Sequence, residues 1–280
     1  MKTLLLARFT FREARRKRMV LGVLLLSALF LGLYWYGFSS FRSNYDTRVA
    51  AGARAPFDLQ VFASVLVLLG FYTVNFLSGI MAIFAAVGSV ASEIEQGTLQ
   101  AIVPKPVRRW EVLLGKWLGY AAMLAVYTTA MCLGVLAIGQ TAGGYLPANW
   151  AAGTGLVVLV SLMLLSITVL GSTIFSALTN GIIVFMLYGV TLMAGVVEQV
   201  GTFLNNETLM NIGLAANLVL PSDAVWRLAA YTLQPAFALP VIPLPFAATT
   251  PPSSAMIAYA AAYTIAAILL AVGVFNRRDL

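Results

Sequence analysis

The 280-residue chain has no histidine, one cysteine and few charged residues, which make up 10% of its length. Soluble globular domains are nearer a quarter charged, so this composition excludes an ordinary soluble enzyme. Without histidine, the chain lacks the commonest general base at neutral pH and the commonest metal ligand. Because Cys132 is the one thiol, neither a disulfide within the chain nor a cysteine metal cluster can form.

Sequence motifs for catalysis are also missing. Intramembrane proteolysis by a Ser–His pair or by a His-containing zinc site is excluded, and no pair of aspartates lies in an apolar stretch. The phosphate-binding pattern G-x-x-x-x-G-K-[ST] is absent, so the chain is not expected to bind or hydrolyse ATP. We therefore predict that the chain is not an enzyme and that it binds no metal or cofactor of its own.

Long charge-free runs dominate the rest of the sequence, at residues 19–41, 59–92, 117–197 and 228–276. A membrane span needs about 20 apolar residues, and clusters of Gly, Pro and Asn at 143–149 and 179–181 divide the third run. We predict an all-α membrane protein with six transmembrane helices, in a domain of residues 19–280. The predicted spans are residues 19–38, 60–91, 117–139, 153–178, 182–200 and 255–275. A cleaved signal peptide is the alternative for the first run, but the run is longer than a typical signal core.

Lysine and arginine indicate the orientation of these spans, because loops on the cytoplasmic side retain positive charge. With the amino terminus inside, thirteen basic residues are cytoplasmic and four are external. The cytoplasmic set is Lys2, Arg8, Arg12, Arg15, Arg16, Lys17, Arg18, Lys105, Arg108, Arg109, Lys116, Arg277 and Arg278. We predict a multi-pass protein of the cytoplasmic membrane with both termini inside. The net charge of +7 then reflects topology and contact with anionic lipid, and it gives no reason to expect nucleic acid as a partner.

Residues 1–18 are predicted to form an amphipathic helix at the membrane interface. Arg8, Arg12 and Arg15 recur at helical spacing beside an apolar stripe of Ala7, Phe11 and Ala14. With Arg16, these guanidinium groups are candidates for contact with lipid phosphates. The alternative is a frayed tail whose charge only sets topology.

Residues 92–116 concentrate three acids and four bases in a chain where charge is scarce. Gly97-Thr98 can end one helical turn and begin another, with Thr98 as a cap, and Pro104 and Pro106 then stop the short helix. The segment predicts a cytoplasmic hairpin that exposes Leu99 and other apolar side chains, and an exposed apolar helix requires a partner surface. The alternative is a solvated hairpin.

Residues 201–254 are predicted to form an external loop. It holds seven of the eleven prolines, yet it is mostly apolar. Segments 210–220 and 223–233 are too short to cross a bilayer, and they could re-enter the outer leaflet or cap the bundle. Asp223 and Arg227, at i and i+4, could form a local ion pair. A surface loop with that pair is the alternative.

The sequence resembles the permease subunit of ATP-binding-cassette exporters of the ABC-2 type. The strongest match is Glu93-x-Glu95-x-Gly97-Thr98-Leu99, followed by Pro104, Arg109 and Gly115-Lys116. Residues 275–280 also resemble the usual carboxyl-terminal sequence of these permeases. Pro221-x-Asp223-x-x-x-Arg227 resembles the branch that includes permeases of copper-enzyme maturation systems. Gln100 departs from the family pattern, which has a carboxylate there. These motifs indicate a family and do not identify a substrate.

The resemblance implies six spans, an elbow helix over residues 1–18 and re-entrant helices before the last span. It implies an active unit of two permease subunits, as a homodimer or a related heterodimer, with ATP-binding-cassette ATPase subunits that hold ATP and Mg. Glu93–Val103 would be the coupling helix seated on the ATPase. The residues implied for coupling are Glu93, Glu95, Gly97, Thr98, Leu99, Arg108 and Arg109.

Two other classes of protein remain open at this point. One is a membrane anchor that docks a cytoplasmic protein without transport. The other is a secondary transporter, a class that commonly places ionisable groups near the bilayer midplane. In this sequence Glu198 comes closest to such a position, near the outer end of the fifth predicted span. We therefore favour the exporter subunit.

Overall fold

The computed structural model describes residues 7, 9, 10, 18–51, 59–92, 108–235 and 254–277, and over these residues it contains eight long or medium helices and no strand. The helices are α1 (Arg18–Ala50), α2 (Leu59–Ala86), α3 (Arg109–Gly143), α4 (Trp150–Ile174), α5 (Ala177–Phe203), α6 (Glu207–Val219), α7 (Ser222–Leu233) and α8 (Ser254–Arg277). Six of them, α1 to α5 and α8, are long and apolar enough to cross a membrane. The predicted all-α class with six candidate spans is confirmed.

Neighbouring spans run antiparallel, and α2 and α4 lie at the centre of the bundle while α1 and α8 are the most exposed. The antiparallel course of α2 and α3 shows in two contacts: Lys116 Nζ donates to the Ser89 carbonyl and Thr128 Oγ1 donates to Ser78 Oγ. We call the end of the bundle where α2 ends and α3 begins the basic end. We call the opposite end, where α5 ends and the α6–α7 hairpin begins, the hairpin end.

Several helices extend beyond the spans predicted from the sequence, and α1 and α3 do so by the most residues. Helix α1 has 33 residues, about 50 Å at 1.5 Å per residue, and it continues past Phe38 because no helix breaker follows. Arg42 and Asp46 pair at i,i+4, with Nε 3.0 Å from Oδ2, which supports the added turns. Helix α3 begins at Arg109, eight residues before the predicted span.

Two turns divide the charge-free run of residues 117–197 into helices, one at Gly143-Gly144 and one at Phe175-Ser176. Helix α3 ends at Gly143, where Gly144 adopts φ +65° and its N–H donates to the Gln140 carbonyl at 3.1 Å, a left-handed helix end that suits glycine. The second break lies at Phe175-Ser176, and not at 179–181 as predicted. Ser176 precedes α5, and Asn180 lies inside α5, where its amide donates to the carbonyls of Val87 and Thr168.

Helices α6 and α7 form a hairpin, residues 207–233, that packs into the bundle. Helix α6 starts beside the end of α5, where Gly201 lies against Leu209, and runs back along it to bring Gly213 against Glu198. Helix α7 then returns toward the hairpin end, where the Leu233 carbonyl accepts from the Tyr145 hydroxyl. The Trp226 ring lies 5.3 Å from the ring of Tyr72, near the middle of α2. Tyr259 and Tyr263 of α8 donate to the Leu218 and Val219 carbonyls at 2.6 and 2.7 Å, which pairs backbone groups that the end of α6 leaves open. The re-entry of this hairpin into a bilayer stays a prediction.

Candidate functional site

Two of the predicted coupling residues lie at the start of α3. Arg108 precedes the helix, and its backbone N–H donates to the Glu111 carboxylate at 2.9 Å. Arg109 is the first helical residue, and both arginines are exposed. Because basic side chains at a helix amino terminus oppose the helix dipole, Glu111 in the first turn compensates locally.

The other predicted contact residues lie outside the described residues, and their roles stay predictions. For coupling these are Glu93, Glu95, Gly97, Thr98 and Leu99; for lipid contact they are Arg8, Arg12, Arg15 and Arg16.

The helices that flank the 93–107 segment are tied together at the basic end. Lys116 Nζ of α3 lies 2.5 Å from the carbonyl oxygen of Ser89, just after α2. Ser89 Oγ lies 3.0 Å from Ser172 Oγ of α4, and the Trp117 indole donates to Ser166 Oγ at 3.0 Å. Polar contacts of this kind join helices in an apolar medium. A displacement at the basic end would therefore involve α2, α3 and α4 together.

A cluster of charged side chains lies between α5 and the α6–α7 hairpin. Arg227 of α7 binds Glu198 of α5 through two parallel contacts, Nη1 to Oε1 at 2.5 Å and Nη2 to Oε2 at 2.6 Å. Its Nε lies 2.9 Å from Oδ2 of Asp223, one turn earlier in α7. The side chains are 16% (Arg227), 13% (Glu198) and 7% (Asp223) exposed. We call these three residues the charge cluster.

Asn217 of α6 links the charge cluster to both helices of the hairpin. Its amide nitrogen donates to Glu198 Oε2 at 3.3 Å and to the Gly213 carbonyl at 3.2 Å. Its amide oxygen accepts from the Ala224 N–H at 3.0 Å, a group in the first turn of α7 that has no partner within its own helix. Asn217 therefore acts as a cap for α7 that is supplied by α6.

Two glycines, which have no side chain, make room for the two carboxylates of the charge cluster. A Cβ at Gly195 of α5 would collide with the Asp223 carboxylate, and a Cβ at Gly213 of α6 would collide with the Glu198 side chain. Such contacts are closer than real Cβ atoms show. The position of the charge cluster thus depends on glycine in the two helices that enclose it.

Burial changes the acid–base behaviour of the charge cluster. It raises the pKa of the Asp223 carboxyl from 3.8 to about 6; the positive charge of Arg227 opposes this rise and the negative charge of Glu198 adds to it. Burial alone would lower the pKa of Arg227, but the hydrogen bonds that Arg227 donates to Glu198 and the negative charge of Asp223 outweigh this effect, and the pKa is raised.

Sequence reasoning found only part of the charge cluster. The predicted i,i+4 pair of Asp223 and Arg227 is present, and it is buried against α5, which excludes the alternative of a surface loop. The partnership of Arg227 with Glu198 was missed. The available signal was Glu198 itself, since a lone carboxylate in an apolar run requires a partner, and an arginine fork suits a carboxylate.

The family whose description is "ABC-2 family transporter protein" matches residues 4–280 of the chain. The chain belongs to this family. A relative from Pseudomonas aeruginosa, "Probable ABC transporter permease protein NosY", is 32% identical over 124 residues, which are 44% of this chain and 40% of the relative. The predicted family resemblance is confirmed, and the chain is a multi-pass membrane protein of this transporter family, with six candidate spans among the described residues.

Replacing Gly195 of α5 with alanine is expected to lower the free energy of unfolding by about 1 to 3 kcal/mol, the usual cost of an added methyl group in a packed site. The methyl group would displace Asp223 and with it the α6–α7 hairpin. Thermal unfolding of the purified protein in lipid nanodiscs measures this. Gly189→Ala is the matched control on α5, because a Cβ there meets nothing within 4 Å. Equal stability of the two variants would contradict the account.

Proposed function

We propose that this permease couples ATP hydrolysis on a separate ATP-binding subunit to export of a substrate across the cytoplasmic membrane. The observation that supports this most is the family match over residues 4–280. The sequence has no phosphate-binding loop of its own, so the energy must come from a partner that binds ATP and Mg. The chain supplies the membrane passage and no catalytic group.

The coupling contact in this proposal is the segment between α2 and α3. Glu93–Val103 would sit on the ATP-binding subunit, with Arg108 and Arg109 at its edge on the ATPase or on lipid headgroups. The two helices that receive the displacement are joined to each other through Lys116 and Ser89. Helix α2 is joined further to α5, where Tyr188 donates to the Asn75 carbonyl at 3.3 Å. Motion at residues 93–107 would thus reach the centre of the bundle.

Orientation and assembly complete the proposal. The thirteen-to-four distribution of basic residues supports a cytoplasmic basic end and two cytoplasmic termini. Residues 1–18 would lie at the lipid interface as an elbow helix, and the α6–α7 hairpin would re-enter from the outer side. Two permease subunits, identical or related, would form the passage between them.

The test is co-expression with an ATP-binding-cassette subunit, followed by purification through a tag on the permease and an ATPase assay in proteoliposomes. We expect stable copurification and ATPase activity that depends on the permease. Docking without a change in ATP turnover would instead indicate a membrane anchor. Substrate flux driven by an ion gradient in the absence of ATP would indicate a secondary transporter, and either result would overturn the proposal.

A further inference from the structure

The charge cluster holds more negative than positive charge. Among the described residues it contains two carboxylates, Glu198 and Asp223, and one guanidinium, Arg227. With all three groups ionised, one negative charge is left over in a site where each side chain is mostly buried. An uncompensated buried charge is costly, and the usual outcome is that the group binds a proton.

Geometry identifies the carboxylate that takes the proton. Glu198 receives two parallel hydrogen bonds from Arg227 and a third from Asn217, which satisfy its ionised form. Asp223 is less exposed, and its carboxylate packs directly against the backbone of α5 at Gly195. Protonation of Asp223 leaves Arg227 and Glu198 as a balanced pair.

Among the residues that the structure describes, the elements packed around Asp223 supply no second positive charge. Tyr72 of α2 and Tyr188 of α5 lie close enough to interact with its charge, and Asn217 is the polar group that faces it from α6. Helix α4 has no ionisable side chain, and α8 contributes Tyr259 and Tyr263, which bond to carbonyls. The leftover charge therefore has no other counter-charge in the described structure.

We propose that the charge cluster is a proton-binding site in which Asp223 carries one exchangeable proton, and that release of this proton loosens the α6–α7 hairpin from α5. This proposal does not rest on coupling to ATP, because it is argued from contacts between α5 and the α6–α7 hairpin and not from the basic end. A loosened hairpin would free Arg227 and Asn217 from α5 and expose the first turn of α7.

The direction of the pH effect follows from the raised pKa of Asp223. In the docked hairpin the carboxyl titrates near pH 6, whereas an ordinary aspartate titrates near 3.8, so the docked state holds a proton that the undocked state releases. The contribution of this proton to the stability of the docked hairpin is complete below pH 3.8 and is lost as the pH rises through about 6. Acidification on the hairpin side therefore favours docking.

Infrared difference spectroscopy on the full-length protein in lipid nanodiscs detects the proton directly, through the C=O stretch of a protonated carboxylic acid. We expect a band that disappears as the pH rises, with a midpoint near 6. Asp223→Asn should remove the band. Glu198→Gln should move the midpoint lower by about one pH unit or more, because Arg227 then neutralises Asp223 alone. Asp46→Asn, at an exposed ion pair, should change nothing.

Hydrogen exchange of the α6–α7 backbone, corrected for intrinsic rates, reports docking between about pH 5 and pH 8. We expect protection of residues 207–233 to fall several-fold with rising pH in the unmodified protein and to stay constant in Asp223→Asn. Absence of the carboxyl band near pH 6, its survival in Asp223→Asn, or an unchanged midpoint in Glu198→Gln would overturn the proton site. Protection that does not change with pH would overturn the loosening.

Discussion

Replacing Arg227 with methionine is expected to detach the α6–α7 hairpin from α5 and to lower the free energy of unfolding by about 3 to 5 kcal/mol. The substitution keeps an unbranched apolar stem, although a shorter one, and removes the cation that both Glu198 and Asp223 contact. Two buried carboxylates would then face each other without compensation. Thermal unfolding in nanodiscs measures the loss, and hydrogen exchange locates it in residues 207–233.

Two comparisons separate the charge effect from lost packing. Arg42→Met removes an arginine from an ion pair whose side chains are 40% and 59% exposed, together with its hydrogen bond to the Ala142 carbonyl at 3.3 Å. Exposed pairs contribute about 1 kcal/mol or less. The double variant Glu198→Gln/Arg227→Met removes one carboxylate together with the cation, and it should recover part of the lost stability. If Arg227→Met were as stable as Arg42→Met, the charge cluster would not hold the hairpin.

Reversing Glu93 and Glu95 to lysine is expected to reduce association with the ATP-binding subunit about tenfold or more and to abolish stimulation of its ATPase activity. The physical reason is that the two charge contacts proposed for these residues would become repulsive, at a cost of several kcal/mol for an opposed interface. Gly97→Pro should block transport as well, because proline removes the flexible turn that the predicted helix needs. Binding affinity, ATPase rate and membrane insertion are measured on the same preparations.

The matched control reverses the same number of charges at the hairpin end. Asp46 and Glu207 are both exposed, and their joint replacement by lysine should leave ATPase association unchanged. Normal insertion of the Glu93/Glu95 variant would show that its defect concerns coupling. Unchanged association and stimulation in that variant and in Gly97→Pro would rule out the assigned contact.

The spans could be predicted from the sequence because bilayer burial requires long apolar helices, whatever their neighbours are. Their ends could not be, since helix length also depends on local contacts. Helix α1 continues through Arg42 and Asp46, which pair with each other. Asparagine is typical of helix ends, yet Asn180 lies inside α5. Its side-chain amide donates hydrogen bonds to the carbonyls of Val87 and Thr168.

The charge cluster was only half predictable for a similar reason. Asp223 and Arg227 are four residues apart, so helical periodicity brings them together. Glu198 is 29 residues from Arg227, and their contact depends on how the hairpin folds back on α5. Gly195 and Gly213 look ordinary in an apolar sequence, and only the packing shows that a side chain at either position would collide with a carboxylate.

The most direct test of the central claim is a cross-link between residue 98 and the ATP-binding subunit. Thr98→Cys adds a thiol at the proposed contact, and the native Cys132 is buried, so it does not compete for the reagent. In the assembled complex we expect a thiol-reactive cross-linker to join this position to the ATP-binding subunit, whereas Asn44→Cys at the hairpin end should give no such product. Cross-linking from Asn44→Cys and none from Thr98→Cys would contradict both the orientation and the coupling role.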